Sequence, residues 1–142
     1  MRYLCALLVL SALPLAAEKK AISPPEFAGG TANFSPGILV DGTLYVSGQV
    51  GQDLKTKQVP ADFEVEVKTL LSNIGIVLKA AGMTYKDVVS VQVYLTDMFL
   101  FPRMNAVYTT FFPDPRPSRT TVGVTKLAAP AAHIEVTVTA RK

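Results

Sequence analysis

The sequence has one cysteine, one histidine and no tryptophan among its 142 residues. The cysteine, Cys5, lies inside an N-terminal apolar run. A chain cleaved beyond that run would carry no thiol, which removes cysteine nucleophiles, disulfides and cysteine-based zinc sites together. A lone histidine, His133, cannot build a multi-histidine metal centre, and no cluster of Asp and Glu accompanies it. Spacing nominates no Ser-His-acid arrangement. No glycine-rich phosphate loop is present either: Gly75 falls inside a helical pattern, and Gly29-Gly30 lacks the strand and helix that such a loop joins. Charge is also sparse. The formal net charge is +3, and Lys55, Lys57, Lys68, Lys79, Lys86, Arg103 and Arg116 form no run and alternate with no aromatic residues. That argues against a dedicated nucleic-acid groove.

Apolar residues make up 49% of the chain, enough for the core of a single domain. The first seventeen residues differ from the rest. Arg2 precedes the apolar stretch Leu4 to Leu10, which continues to Leu15 and exits through Ala16-Ala17 into Glu18-Lys19-Lys20. A positive start, a short apolar centre and a small-residue exit read as a secretory signal peptide over residues 1–17. The run is too short and too interrupted by Pro14 for a stable membrane span, which needs roughly 20 apolar residues. The expected destination is therefore periplasmic or secreted. Residues 18–35, with Pro24-Pro25 and Gly29-Gly30, read as an extended leader, and residues 36–142 as the folded domain.

Within the domain, Gly37-Ile38-Leu39-Val40 and Thr43-Leu44-Tyr45-Val46 flank Asp41-Gly42, a hairpin signal. Phe63, Val67, Leu70, Leu71, Ile74, Val77, Leu78 and Ala81 recur at helical spacing, with Asp62 placed to cap the start and Gly82 to stop the end. Val89, Val91, Val93 and Leu95 alternate with polar residues as in a strand. Pro102 to Phe112 suits a second helix, and strands are expected over Thr120–Thr125 and His133–Arg141. The order β-β-α-β-α-β-β predicts an α+β fold, one mixed sheet with two helices on one face. The other face would present Tyr45, Ser47, Gln92, Tyr94, Thr121, His133, Glu135 and Thr137. A surface so aromatic and so polar suits a subunit interface.

Two charged residues remain as candidates for chemistry. Arg119 opens the fourth expected strand and Glu135 lies on the polar face of the last. If those strands pair, the side chains approach one another. An arginine fork grips a carboxylate through two parallel hydrogen bonds. A carboxylate beside it can orient water or move a proton. Taken without further context, a surface arginine and a solvated glutamate explain the same residues.

The ordered set of segments resembles the RidA (YjgF) family. Leu44-Tyr45-Val46-Ser47-Gly48-Gln49 is similar to that family's early strand, and Asn73-Ile74 through Ala81-Gly82 to its first helix and stop. Val93-Tyr94-Leu95-Thr96-Asp97, Asn105-Ala106-Val107-Tyr108, Pro117-Ser118-Arg119-Thr120 and Ile134-Glu135-Val136 follow in the family's order. The resemblance implies a chorismate-mutase-like fold assembled as a homotrimer, with ligand clefts between subunits. It implies hydrolysis of 2-aminoacrylate and related 2-imino acids to 2-keto acids and ammonia, with no metal or organic cofactor. It places substrate-carboxylate binding on Arg119, water activation or proton transfer on Glu135, and the cleft wall on Ser47, Gly48, Phe34 and Thr121. Two positions depart from the family: Phe34 stands where a tyrosine is usual, and Thr121 where cysteine is frequent. The resemblance leaves two alternatives, a non-catalytic protein that binds small carboxylates and an endoribonuclease or translation inhibitor.

Overall fold

The computed structural model describes residues 18–28 and 33–142; the expected signal peptide, residues 1–17, lies outside them. Six strands form one sheet: β1 (Lys20–Ile22), β2 (Gly37–Val40), β3 (Thr43–Val50), β4 (Val88–Leu95), β5 (Ser118–Gly123) and β6 (Ile134–Arg141). Two helices, α1 (Phe63–Ala80) and α2 (Phe101–Phe111), complete the expected α+β layout. The sheet runs β1-β2-β3-β6-β4-β5. It is mixed, because β4 and β5 pair in parallel and the other neighbours are antiparallel.

Local chemistry explains the elements. Asp41 and Gly42 take φ of 47° and 69°, the left-handed pair that a tight hairpin turn requires. Asp62 caps α1 by accepting the Val65 N–H at 2.9 Å. Beyond Ala80 the chain closes on Gly82, with Met83 N–H donating to the Leu78 carbonyl at 2.8 Å and Gly82 N–H to that of Lys79 at 2.9 Å. The α1 stripe of Phe63, Val67, Leu70, Leu71, Ile74, Val77 and Leu78 is buried against Leu44, Val46, Val91, Val93, Leu95, Ile134, Val136 and Val138 of the sheet. Met104, Val107 and Tyr108 of α2 close the same core.

The structure departs from the sequence reading in four places. The leader is not merely extended: Lys20–Ile22 pairs with β2 and adds a sixth strand. Strand β5 does not pair with β6, because β4 lies between them. Thr121 is not on the open face. The parallel register sets Arg119 beside Val91 and Thr121 beside Val93, both of whose side chains point to the helices. Val122 is left on the open face with Tyr94.

His133 also sits differently from its expected place. It precedes β6, and its ring turns to α1. Glu66, fully buried, accepts the His133 backbone N–H at 2.7 Å and lies 2.8 Å from its Nδ1. Phe63 meets the imidazole edge-on. Replacing Glu66 with Leu should leave the His133 N–H without its acceptor, at a cost of about 1–3 kcal/mol. Thermal unfolding should show a melting temperature several degrees lower, with Glu66→Gln retaining most of the stability because its carbonyl oxygen still accepts. Equal melting temperatures for the wild type and Glu66→Leu would show that the contact contributes nothing.

Candidate active site in two half-sites

The first half-site forms where β2 ends before β3 does. Gly37 pairs with Val46, so β2 covers β3 only from Thr43 to Val46. Beyond it, Ser47 N–H donates to the Pro36 carbonyl at 3.0 Å and the Ser47 hydroxyl to the Ser35 carbonyl at 2.7 Å. These bonds hold the leader against β3 and bring Phe34 to the rim of a cleft of about 250 Å³. Gly48, Gln49 and Val50 form one wall, and Phe27, Phe34 and Pro36 another. Gln52, Leu54, Lys57 and Asn73 close it. Asn73 donates to the Val50 carbonyl at 3.3 Å and the Gln52 carbonyl at 2.9 Å, fixing where β3 stops.

Glu135, on β6, stands against Gly48 of this wall without lining the cleft itself. The register between β3 and β6 slips between Val46 and Gln49: three steps along β3 match two along β6, from Val138 to Val136. This is a bulge, and it turns Gly48 under the Glu135 side chain. A Cβ on Gly48 would stand 2.0 Å from Glu135 Oε1. Only glycine lets the carboxylate lie over the strand there. Glu135 is half-buried, opposite Tyr94 on β4 and Val50 on β3.

The second half-site is built around Arg119, on the edge strand and on the helix face. Its guanidinium lies 4.5 Å from the Tyr108 ring centre and 5.5 Å from that of Phe101. Cation–π contact with two rings holds the guanidinium in place. Burial pushes the Tyr108 phenol up, and the positive charge of Arg119 draws it part-way back. Thr121, two residues along the same face, buries its hydroxyl oxygen without a hydrogen-bond partner among the described residues.

The two half-sites of one chain do not meet. Arg119 is level with Val91 and hence with Val138, three residues beyond Glu135. Two strand spacings and three residues each amount to roughly 10 Å, and the side chains lie on opposite faces. Sequence reasoning missed Gln49, Gln52, Lys57 and Asn73 in the cleft, and Tyr108 as the platform for Arg119. One signal was available: Glu66 and Asn73 are polar residues at the spacing of the buried α1 stripe, and both are buried. Among the described residues no three His, Cys, Asp or Glu side chains gather as metal ligands. Nor is any helix among them long and apolar enough to cross a membrane.

A family model described as Endoribonuclease L-PSP matches residues 27–142. The 2-iminobutanoate/2-iminopropanoate deaminase of Rattus norvegicus is 38% identical over 110 residues, covering 77% of this chain and 80% of that protein. The chain belongs to the RidA family. It is also similar to a RutC family protein of Sulfurisphaera tokodaii, at 41% identity over 110 residues, 77% of this chain and 87% of the relative. The crystal structure of RidA from a Psychrobacter species superposes with a TM-score of 0.81 at 28% identity, covering 87% of this chain and 99% of that one. The chorismate-mutase-like α+β fold implied by the ordered motifs is thus the fold of the molecule, and the RidA family is its family.

Proposed function

We propose that the protein hydrolyses 2-aminoacrylate and related 2-imino acids to 2-keto acids and ammonia, in clefts between copies of the chain. The observation that carries this reading is Glu135, set over Gly48, a wall residue of a small cleft, while Arg119 is on a strand beyond β4. A second copy would bring an arginine fork to the cleft. The deaminase name of a relative at 38% identity supports the chemistry.

In this mechanism Arg119 binds the substrate carboxylate through both arms of its fork and fixes the imine carbon. Glu135 orients a water molecule and takes its proton as oxygen bonds to that carbon. Starting from the protonated imine (2-aminoacrylate reacting as its imine tautomer), this gives a carbinolamine. Glu135 returns the proton to nitrogen, the carbon–nitrogen bond breaks, and ammonia leaves as the hydroxyl gives its proton back to Glu135 and becomes the carbonyl. Positioning and a single carboxylate that shuttles protons are enough for a substrate that is already electrophilic.

The test is keto-acid release from 2-aminoacrylate generated in situ, above the spontaneous rate. A protein that binds 2-keto acids yet leaves that rate unchanged would be a small-carboxylate-binding protein instead. Light scattering should give about three times the protomer mass, since the open sheet face carries exposed Tyr45, Val89 and Val122 around the Gln92–Tyr94–Thr137 hydrogen bonds. A monomer at micromolar concentration would remove the shared cleft. We also propose export, from the pattern of Arg2, Leu4–Leu10 and Ala16-Ala17. N-terminal sequencing from the native cell should begin near Glu18; an intact Met1 on cytosolic protein would overturn it.

A further inference from the structure

Lys57 has a backbone conformation that lysine does not favour and a position that uses its charge. Its φ is 60°, in the left-handed region where a Cβ crowds the backbone. The turn enforces this. Asp53 Oδ1 accepts from the backbone N–H groups of Lys55 at 2.9 Å and Thr56 at 2.7 Å. Lys57 N–H donates to the Asp53 carbonyl at 2.9 Å, and the Lys57 carbonyl accepts from Gln52 Nε2 at 2.7 Å. Glycine would occupy this position without strain. A non-glycine residue held in such a conformation beside a cleft points to a use for its side chain.

Lys57 lines the cleft bounded by Phe34, Gly48 and Leu54, and among the described residues it is the one charged residue in that lining. Among the described residues Lys57 takes part in no ion pair. Glu135 lies outside that lining, against Gly48, so an anion stands behind one wall of the cleft and a cation lines another. At about 250 Å³ the cleft is below the roughly 300–1,000 Å³ typical of drug-sized ligands and suits a small acid.

We propose that Lys57 makes this cleft selective for 2-imino acids that carry a second carboxylate on the side chain, such as the imines of four- and five-carbon dicarboxylic keto acids. This rests on the imine-hydrolysis reading of the same cleft. With the first carboxylate on Arg119 and the reacting carbon at Glu135, the second carboxylate is left for the Lys57 ammonium.

The test compares the full chain with Lys57→Gly, Lys57→Arg and Lys57→Glu. Imines are generated in situ from glutamate and from 2-aminobutyrate, and keto-acid release is followed for each. Wild type should prefer the dicarboxylic imine. The ratio of kcat/KM, dicarboxylic over monocarboxylic, should fall about fivefold in Lys57→Gly, the effect of one partly exposed charge pair. It should fall further in Lys57→Glu and be restored in Lys57→Arg. Because glycine suits the turn, the melting temperature of Lys57→Gly should not drop. An unchanged ratio overturns the proposal, as does an equal loss on both substrates, which would put the first carboxylate on Lys57. Calorimetric titration with 2-oxoglutarate and 2-oxobutanoate separates this from the catalytic reading. A protein without turnover that binds 2-oxoglutarate more tightly, and loses that preference in Lys57→Gly, sinks the enzyme and keeps the Lys57 assignment. Equal binding of the two keto acids by such a protein sinks both.

Discussion

Arg119→Lys should remove at least 99% of imine hydrolysis while leaving the fold and assembly in place. Lysine keeps the charge but presents it as a point, without the two parallel donors that match a carboxylate. Charge-assisted hydrogen bonds contribute roughly 1.5–3 kcal/mol each, and losing about 3 kcal/mol of transition-state binding is a factor of about a hundred in rate. The stacking is lost as well. The guanidinium sits 4.5 Å from the Tyr108 ring centre, and a flexible ammonium has no plane to lay on that ring. The measurement is kcat/KM for keto-acid release, with circular dichroism and light scattering as controls for fold and mass. His133→Ala, whose ring turns away to Glu66, should change the rate far less. Wild-type rates in Arg119→Lys would show that the carboxylate is held elsewhere.

The helical layer was legible in the sequence because it is governed by one strong regularity. Apolar residues at three- and four-residue steps can be buried in only one way, so α1 follows its stripe from Phe63 to Leu78. The Asp41-Gly42 turn was equally plain, since few residue pairs accept left-handed φ at both positions. Strand β5 was not, and its physics explains why. It is an edge strand whose valine, Val122, remains 41% exposed, whereas Arg119 turns inward to lie on aromatic rings. Alternation gives the two faces of such a strand but not which one meets the helices. The pairing of β5 with β4 rather than β6 depends on a parallel crossover through α2, which no residue pattern within β5 records. The strand pairing that would bring Arg119 to Glu135 is therefore the part of the site that the sequence does not record. The two residues are separated by a strand and lie on opposite faces, so the proposed function needs a second copy to bring them together.

Glu135→Gln should lower kcat by about a hundredfold or more, with a smaller loss of keto-acid affinity, because the amide keeps the shape and loses the proton acceptor. Gly48 offers an independent way to the same group. A methyl on Gly48 would stand 2.0 Å from Glu135 Oε1, far inside contact distance, so Gly48→Ala must push the carboxylate off the strand or shift the bulge. Either movement is on the order of 1 Å, and a misplacement of that size can cost about a hundredfold in rate. Gly48→Ala should therefore match Glu135→Gln in turnover although its glutamate is intact, and should lose about 1–3 kcal/mol of stability to overpacking. The double variant Gly48→Ala/Glu135→Ala separates the two effects. Removing the glutamate side chain removes the obstruction, so stability should recover relative to Gly48→Ala alone while turnover stays lost. Recovery of turnover in the double variant would show that Glu135 is an obstacle to be cleared and not the group that activates water. Failure of stability to recover would place the strain of Gly48→Ala in the bulge backbone, and the contact between Gly48 and Glu135 would then not be what requires glycine at this position.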